Sequence, residues 1–374
     1  MMNDDSIMLY IHVPFCVRKC DYCDFVSFAC NDDVKKRYFE NLNKQIIDKA
    51  YLSGNRKVSS VFIGGGTPSC VDAAYIDSVL ETARKCFSFA ENPEITIEAN
   101  PNSLKKESLA IYKNAGINRL SIGLQSADAD ELKLLSRLHT YEEFLEAFDA
   151  ARCEGFDNIN VDLMSGLPGQ TVEKFLQTLS KVTKLEPEHI SAYSLIIEPG
   201  TVFYERYNGR ESLLDENTDR DIYHETCAFL KSRGYDRYEI SNYSKSGKQC
   251  RHNTGYWKRR DYLGFGISAA SLCGDKRYAM HTDISRYLQG DFSEEITVLD
   301  EKDCMDEFMF LGLRLTEGIS KEKFSDCFKV SWDSLYAKTA EKLHKMGLLS
   351  VGERVFLTEK GMDVANYCMS EFLL

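Results

Sequence analysis

Six short runs of strand-forming residues recur through the first half of the chain, each followed by a stretch of helical periodicity. This rhythm restricts the fold more than any other feature. The runs are Ile7–Val13, Ser60–Ile63, Glu94–Ala99, Arg119–Leu124, Ile159–Met164 and His189–Leu195. Helices are expected over Val34–Ala50, Ala74–Phe87, Leu104–Ala115, Ala129–Leu135, Thr140–Glu154 and Val172–Leu185. Strand–helix alternation argues for βα units and a parallel sheet. Six units are too few to close an eight-stranded barrel, so the expected fold class is α/β, a partial, open (β/α)6 TIM-like barrel.

The unusual residues gather at the C-terminal ends of these runs. Three cysteines follow the first and Gly64-Gly65-Gly66-Thr67-Pro68 follows the second. Glu98 ends the third, Gln125 follows the fourth, Asp162 lies in the fifth and Tyr193 near the end of the sixth. Barrel active sites form at that face, where the βα loops converge.

After about Arg210 the rhythm changes. Asp215–Arg233 reads as a polar amphipathic helix, Tyr235–Tyr243 as a strand and Tyr256–Gly266 as an irregular aromatic stretch. From Glu301 an apolar run, a helix over Trp332–Met346, a strand at Val355–Thr358 and a last helix outline a winged-helix-like module in a smaller α+β region. The expected division is a barrel over residues 1–215, a connecting α/β segment over 216–300 and a C-terminal domain over 301–374. With a net charge of −12, the module reads as a packing or protein-contact domain. An acidic surface repels phosphate backbones, so nucleic acid is not an expected partner. No apolar run is long enough for a membrane helix. Met1 to Asp5 carry no mark of a secretory signal, and a cytoplasmic protein is expected.

The 13 cysteines are mostly scattered, as suits small core residues in a reducing compartment. Cys16, Cys20 and Cys23 form the one tight group, three thiolates within eight residues of loop. Thiolates are the ligands of iron–sulfur clusters, and three of them leave one iron open for a ligand. A zinc site completed by His12 or Cys30 is the alternative reading of the spacing.

The stretch from Tyr10 to Phe25, with Cys16-x3-Cys20-x2-Cys23 and Tyr22 before the last cysteine, resembles the signature of the radical S-adenosylmethionine (radical SAM) superfamily. The resemblance implies a [4Fe-4S] cluster on the three cysteines and S-adenosyl-L-methionine on the open iron. Four further stretches, Ile97–Pro101, Ser121–Ser126, Ser136–His139 and Asn160–Leu163, resemble the oxygen-independent coproporphyrinogen III oxidase group. Carried over from it, Tyr10, Phe25, Gly65, Gly66, Thr67, Glu98, Gln125, Arg137 and Asp162 would line the cosubstrate site.

Within that group two readings stand. The oxidase decarboxylates two propionates of coproporphyrinogen III. Its cysteine motif continues to a further cysteine where this chain has Phe25, and it carries a longer segment before the cysteines than the fifteen residues here. The chain looks more like the heme-chaperone (HemW) branch, with Phe25 and a His-Asn-x-x-Tyr-Trp motif at His252-Asn253-Thr254-Gly255-Tyr256-Trp257. That resemblance implies heme as cargo, apo-hemoproteins of the respiratory chain as clients and a separate electron donor. His252 is the candidate heme ligand, Cys250 its alternative, with Lys258, Arg259 and Arg260 toward the propionates. A DNA-binding regulator that senses iron through its cluster is a third reading, opposed by the charge balance.

Overall fold

A computed structural model describes residues 6–208 and 214–374. The expected change of rhythm at Arg210 lies outside the described residues. The six runs become strands β1 (Ser6–Val13), β2 (Lys57–Gly65), β3 (Phe89–Ala99), β4 (Arg119–Gln125), β5 (Ile159–Ser165) and β6 (His189–Ser194). They pair in chain order, each parallel to the next. Helices over Asp32–Lys49, Ala73–Cys86, Lys106–Asn114, Tyr141–Cys153 and Val172–Thr183 connect them. Their starts follow from local chemistry: Asn31, Asp72, Thr140 and Thr171 each accept a backbone N–H of the first turn, satisfying donors a helix cannot pair internally.

The segment expected as a connector instead extends the same sheet at both edges. The two-residue β7 (Asp236–Arg237) and β8 (Asn242–Ser244) add antiparallel beyond β6. On the other side β9 (Tyr262–Phe265) lies parallel to β1, followed antiparallel by β10 (Ala270–Cys273), β11 (Lys276–Met280) and β12 (Glu294–Val298). The result is one twelve-stranded sheet among the described residues. The run expected as one strand over Tyr235–Tyr243 is a tight antiparallel pair. The aromatic stretch contains the end of a helix, Arg251–Trp257, and all of β9.

One apolar core fills the space between sheet and helices and includes Ile222, Leu230, Leu263 and Tyr287 from the second half. A second core, around Phe308, Met309, Trp332, Tyr336 and Leu343, belongs to the C-terminal region. There β13 (Ile319–Ser320), β14 (Leu349–Val351) and β15 (Arg354–Leu357) form a three-stranded sheet. It packs with helices Lys321–Phe328 and Trp332–Lys345, the winged-helix outline.

Candidate functional site

The cysteine loop is closed at its base. Phe15 is fully buried, edge-on to Tyr38 at 5.2 Å. Phe28 N–H donates to Pro14 O at 2.8 Å and Cys16 N–H to Phe28 O at 3.0 Å. Within this closed loop Cys16, Cys20 and Cys23 are free and half-buried. The Cys16 thiol lies 3.4 Å from the Thr67 hydroxyl. Arg137 Nη1 donates toward Cys20 Sγ at 3.6 Å. Burial raises the Cys23 thiol's pKa, and the neighbouring Cys20 and Cys16 raise it further. No three His, Cys, Asp or Glu side chains form a site for a single ion among the described residues. His12 is committed to Tyr10 OH at 3.0 Å and Val26 O at 3.2 Å. With both ring nitrogens so engaged, His12 is not free to complete a zinc site on these thiols.

The glycine loop lies against this one. Gly65 has φ +114°, a conformation that favours glycine, and a Cβ there would stand 2.6 Å from the His12 ring. A Cβ on Gly66 would stand 2.6 Å from the carbonyl oxygen of Phe15. Thr67 N–H donates to that oxygen at 2.7 Å, and Asn100 Nδ2 donates to the Thr67 hydroxyl at 3.1 Å. Arg137 also donates to Gly123 O at 2.7 Å and to Asn100 Oδ1. Thr67, Asn100 and Arg137 thus form one hydrogen-bonded strap across Cys16 and Cys20.

Inside the barrel, Tyr10, Glu98 and Asp162 line a cavity of about 160 Å³ together with Arg119, Asn253 and Tyr256. Glu98 accepts the Gly65 N–H at 3.1 Å, and burial with the nearby Asp162 pushes its pKa up to about 8. Asp162 accepts from Ser121 Oγ at 2.9 Å and Asn160 Nδ2 at 2.8 Å, and burial raises its pKa as well. Gln125, with φ 70°, sits at the end of β4 and Phe25 is 61% exposed; neither lines this cavity.

The superfamily model "Radical SAM superfamily" matches residues 10–182, and "HemN C-terminal domain" matches 299–364. The chain is 34% identical to the heme chaperone HemW of Bacillus subtilis over 372 residues, covering 97% of this chain and 98% of that protein. It is 35% identical to HemW of Escherichia coli over 380 residues, covering 100% of both. The chain belongs to the HemW family of radical SAM proteins. The solved structure of Escherichia coli coproporphyrinogen III oxidase (HemN), a radical SAM enzyme, is similar with a TM-score of 0.87 and 26% identity. That likeness covers 100% of this chain and 91% of that one. Among the described residues no helix is long and apolar enough to cross a membrane.

For a HemW-family chain the position of the His-Asn-x-x-Tyr-Trp motif is unexpected. His252 and Cys250 are both fully buried. Both His252 ring nitrogens are engaged, Nδ1 with Ser60 Oγ at 2.9 Å and Nε2 with Tyr256 OH at 3.0 Å. Burial and the Arg119 charge lower the His252 pKa to about 3. Cys250 Sγ faces Glu94, and burial raises its thiol pKa to about 12. A macrocycle could reach either one only by opening the core. Lys258 and Arg259 pair with Glu317 and Glu307 of the C-terminal region, at 2.8 Å each, instead of standing free for propionates.

Two further site residues, Asn100 and Arg119, carry no mark in the sequence that separates them from other polar residues beside a strand. Asn100, just after β3, bonds to Thr67 and Arg137 in the strap over the cysteines, and Arg119, at the start of β4, lines the barrel cavity.

Proposed function

We propose that this chain is a heme chaperone that binds heme and passes it to apo-hemoproteins of the respiratory chain in the cytoplasm. In this reading Cys16, Cys20 and Cys23 hold a [4Fe-4S] cluster. Tyr10, Gly65, Gly66, Thr67, Glu98, Gln125, Arg137 and Asp162 serve S-adenosyl-L-methionine. When bound, that pair supplies one-electron reduction of a sulfonium, with the electron from a separate donor. Arg137 and Thr67 orient the cysteine thiols, and Glu98 and Asp162 offer acceptors to hydroxyls or an ammonium.

Phe25 carries the preference for chaperone over oxidase. It stands on the cysteine loop where the oxidase motif has a further cysteine, and it is largely exposed. Val17 on the same loop and Ile196 beyond β6 are also exposed, 65% and 70%. Exposed apolar side chains on the loops after β1 and β6 suit contact with a planar macrocycle better than contact with water. The whole-length identity to proteins named heme chaperone supports the same reading.

Anaerobically reconstituted protein with S-adenosyl-L-methionine, dithionite and coproporphyrinogen III tests the choice. The expected result is no decarboxylated porphyrin, together with one heme bound per chain in a separate titration. Product at catalytic turnover would make the chain an oxidase, as its likeness to HemN allows. Absence of heme binding would end the chaperone reading.

A further inference from the structure

We infer that the His252–Trp257 motif serves the cosubstrate cavity: Asn253 and Tyr256 form its floor, and His252 is the positioning residue that sets them. The inference rests on the reading that this cavity belongs to S-adenosyl-L-methionine.

The helix Arg251–Trp257 closes the barrel at the end opposite the cysteine loop. The Glu94 carboxylate, near the N-terminal end of the paired part of β3, accepts the backbone N–H groups of Arg251 and His252 at 3.1 Å each. Gly255 lies against Met8 near the start of β1, where a Cβ would stand 2.1 Å from the sulfur. With its helix fixed there, the motif directs Asn253 and Tyr256 into the 160 Å³ cavity that Tyr10, Glu98 and Asp162 also line.

A second line of contact runs through the β2 side chains. His252 bonds to Ser60 on β2, and its ring packs 5.3 Å from Phe62. Phe62 stacks on Tyr10 at 6.5 Å. Tyr10 OH meets His12, and His12 meets Val26 O in the cysteine loop and lies against Gly65. One packed path therefore joins the motif to the cysteine loop and the glycine loop. Both His252 ring nitrogens are taken, by Ser60 and Tyr256, so neither is left free toward solvent.

The test uses reconstituted full-length protein and the variants Tyr256→Phe, Asn253→Ala and His252→Ala. Tyr256→Phe keeps the ring and removes only the hydroxyl, so it remains informative if His252→Ala fails to fold. Three quantities are measured: equilibrium affinity for S-adenosyl-L-methionine, the change this ligand causes in the electron paramagnetic resonance spectrum of the reduced cluster, and heme affinity. Affinity for S-adenosyl-L-methionine is expected to fall about tenfold, as for a lost buried hydrogen bond. The ligand-induced spectral change should be altered, while cluster content and heme affinity are kept. Heme affinity lost with the other two readouts intact would return the motif to heme. All three unchanged would also overturn the inference. Wild-type protein with an intact cluster that takes up no S-adenosyl-L-methionine would overturn the underlying reading, a result distinct from failure in the variants alone.

Discussion

Replacing Glu98 by Gln is expected to remove a loss of stability that the wild-type chain suffers as pH rises. Burial and then the charge of Asp162 push the Glu98 carboxyl from 4.5 up to about 8. Between those values the folded chain keeps a proton that the unfolded chain releases. The stability tied to that proton is fully present below pH 4.5 and drains away as the pH climbs to about 8. At ~1.36 kcal/mol per unit, a carboxyl sealed from water would lose about 5 kcal/mol over this window. Glu98 is half-buried beside a cavity, so solvent screening reduces the expected figure to about 3 kcal/mol. Gln imitates the neutral acid and keeps an acceptor for the Gly65 N–H, which Glu98 now binds at 3.1 Å. Urea unfolding of ligand-free protein, followed by circular dichroism at pH 5, 7 and 9, reads the difference. The two proteins should be equally stable near the acid end and diverge in favour of Glu98→Gln toward pH 9. Parallel curves across the range would refute the placement of a neutral Glu98 in the folded barrel.

Two further substitutions test other contacts. Gly66→Ala forces the Phe15 carbonyl away from a Cβ that would stand 2.6 Å from it; the expected outcome is ~1–3 kcal/mol of destabilisation and fewer iron and sulfide per chain after reconstitution, and full iron content would count against it. Arg314 lies 4.3 Å from the Trp257 ring and 3.6 Å from the buried carboxylate of Glu239; Arg314→Met removes the cation facing that carboxylate, which still accepts from Ser241 N–H and Asn242 Nδ2, and about 2–3 kcal/mol of lost stability should appear as faster proteolysis between the barrel and the C-terminal region.

The βα rhythm was legible because each strand of the parallel sheet is apolar over most of its length and most of the connecting helices start at a capping residue, Asn31, Asp72, Thr140 and Thr171 among them. The boundaries moved little; the largest departure was β3, which begins at Phe89 instead of Glu94. Pro93 lies inside it and reads as punctuation in a sequence, yet the pairing with β2 is irregular there and absorbs it. β9 was not legible. It is four residues long, and its place beside β1 comes from a pairing of Tyr10 with Gly264, which no local pattern announces. The cysteine seat was legible because its spacing is local. The burial of His252 was not, since its partner Ser60 is 192 residues away. In the sequence a histidine beside tyrosine and tryptophan looks like a ligand; only the tertiary contact shows both nitrogens already spent.

Barrels of this kind are ordinarily filled by layers of Val, Ile and Leu. Here Glu98, Arg119 and Asp162 point inward, and Asn160, Ser121 and Ser191 share their cavity. Arg119 is 2% exposed, and its Nε has no hydrogen-bond partner among the described residues. Burying such groups costs free energy that an apolar interior would not. A chain that kept them only for stability would gain by replacing them, so their place inside is better explained by a polar ligand that completes their hydrogen bonds. That argument also explains why both ends of the barrel are closed by built elements. The cysteine loop and its strap occupy one end. The helix Arg251–Trp257, capped by Glu94 and joined to the C-terminal region through Trp257 and Arg314, occupies the other. If either were loosened, water would compete for the groups that the ligand is meant to satisfy, and the cavity would lose selectivity before it lost shape.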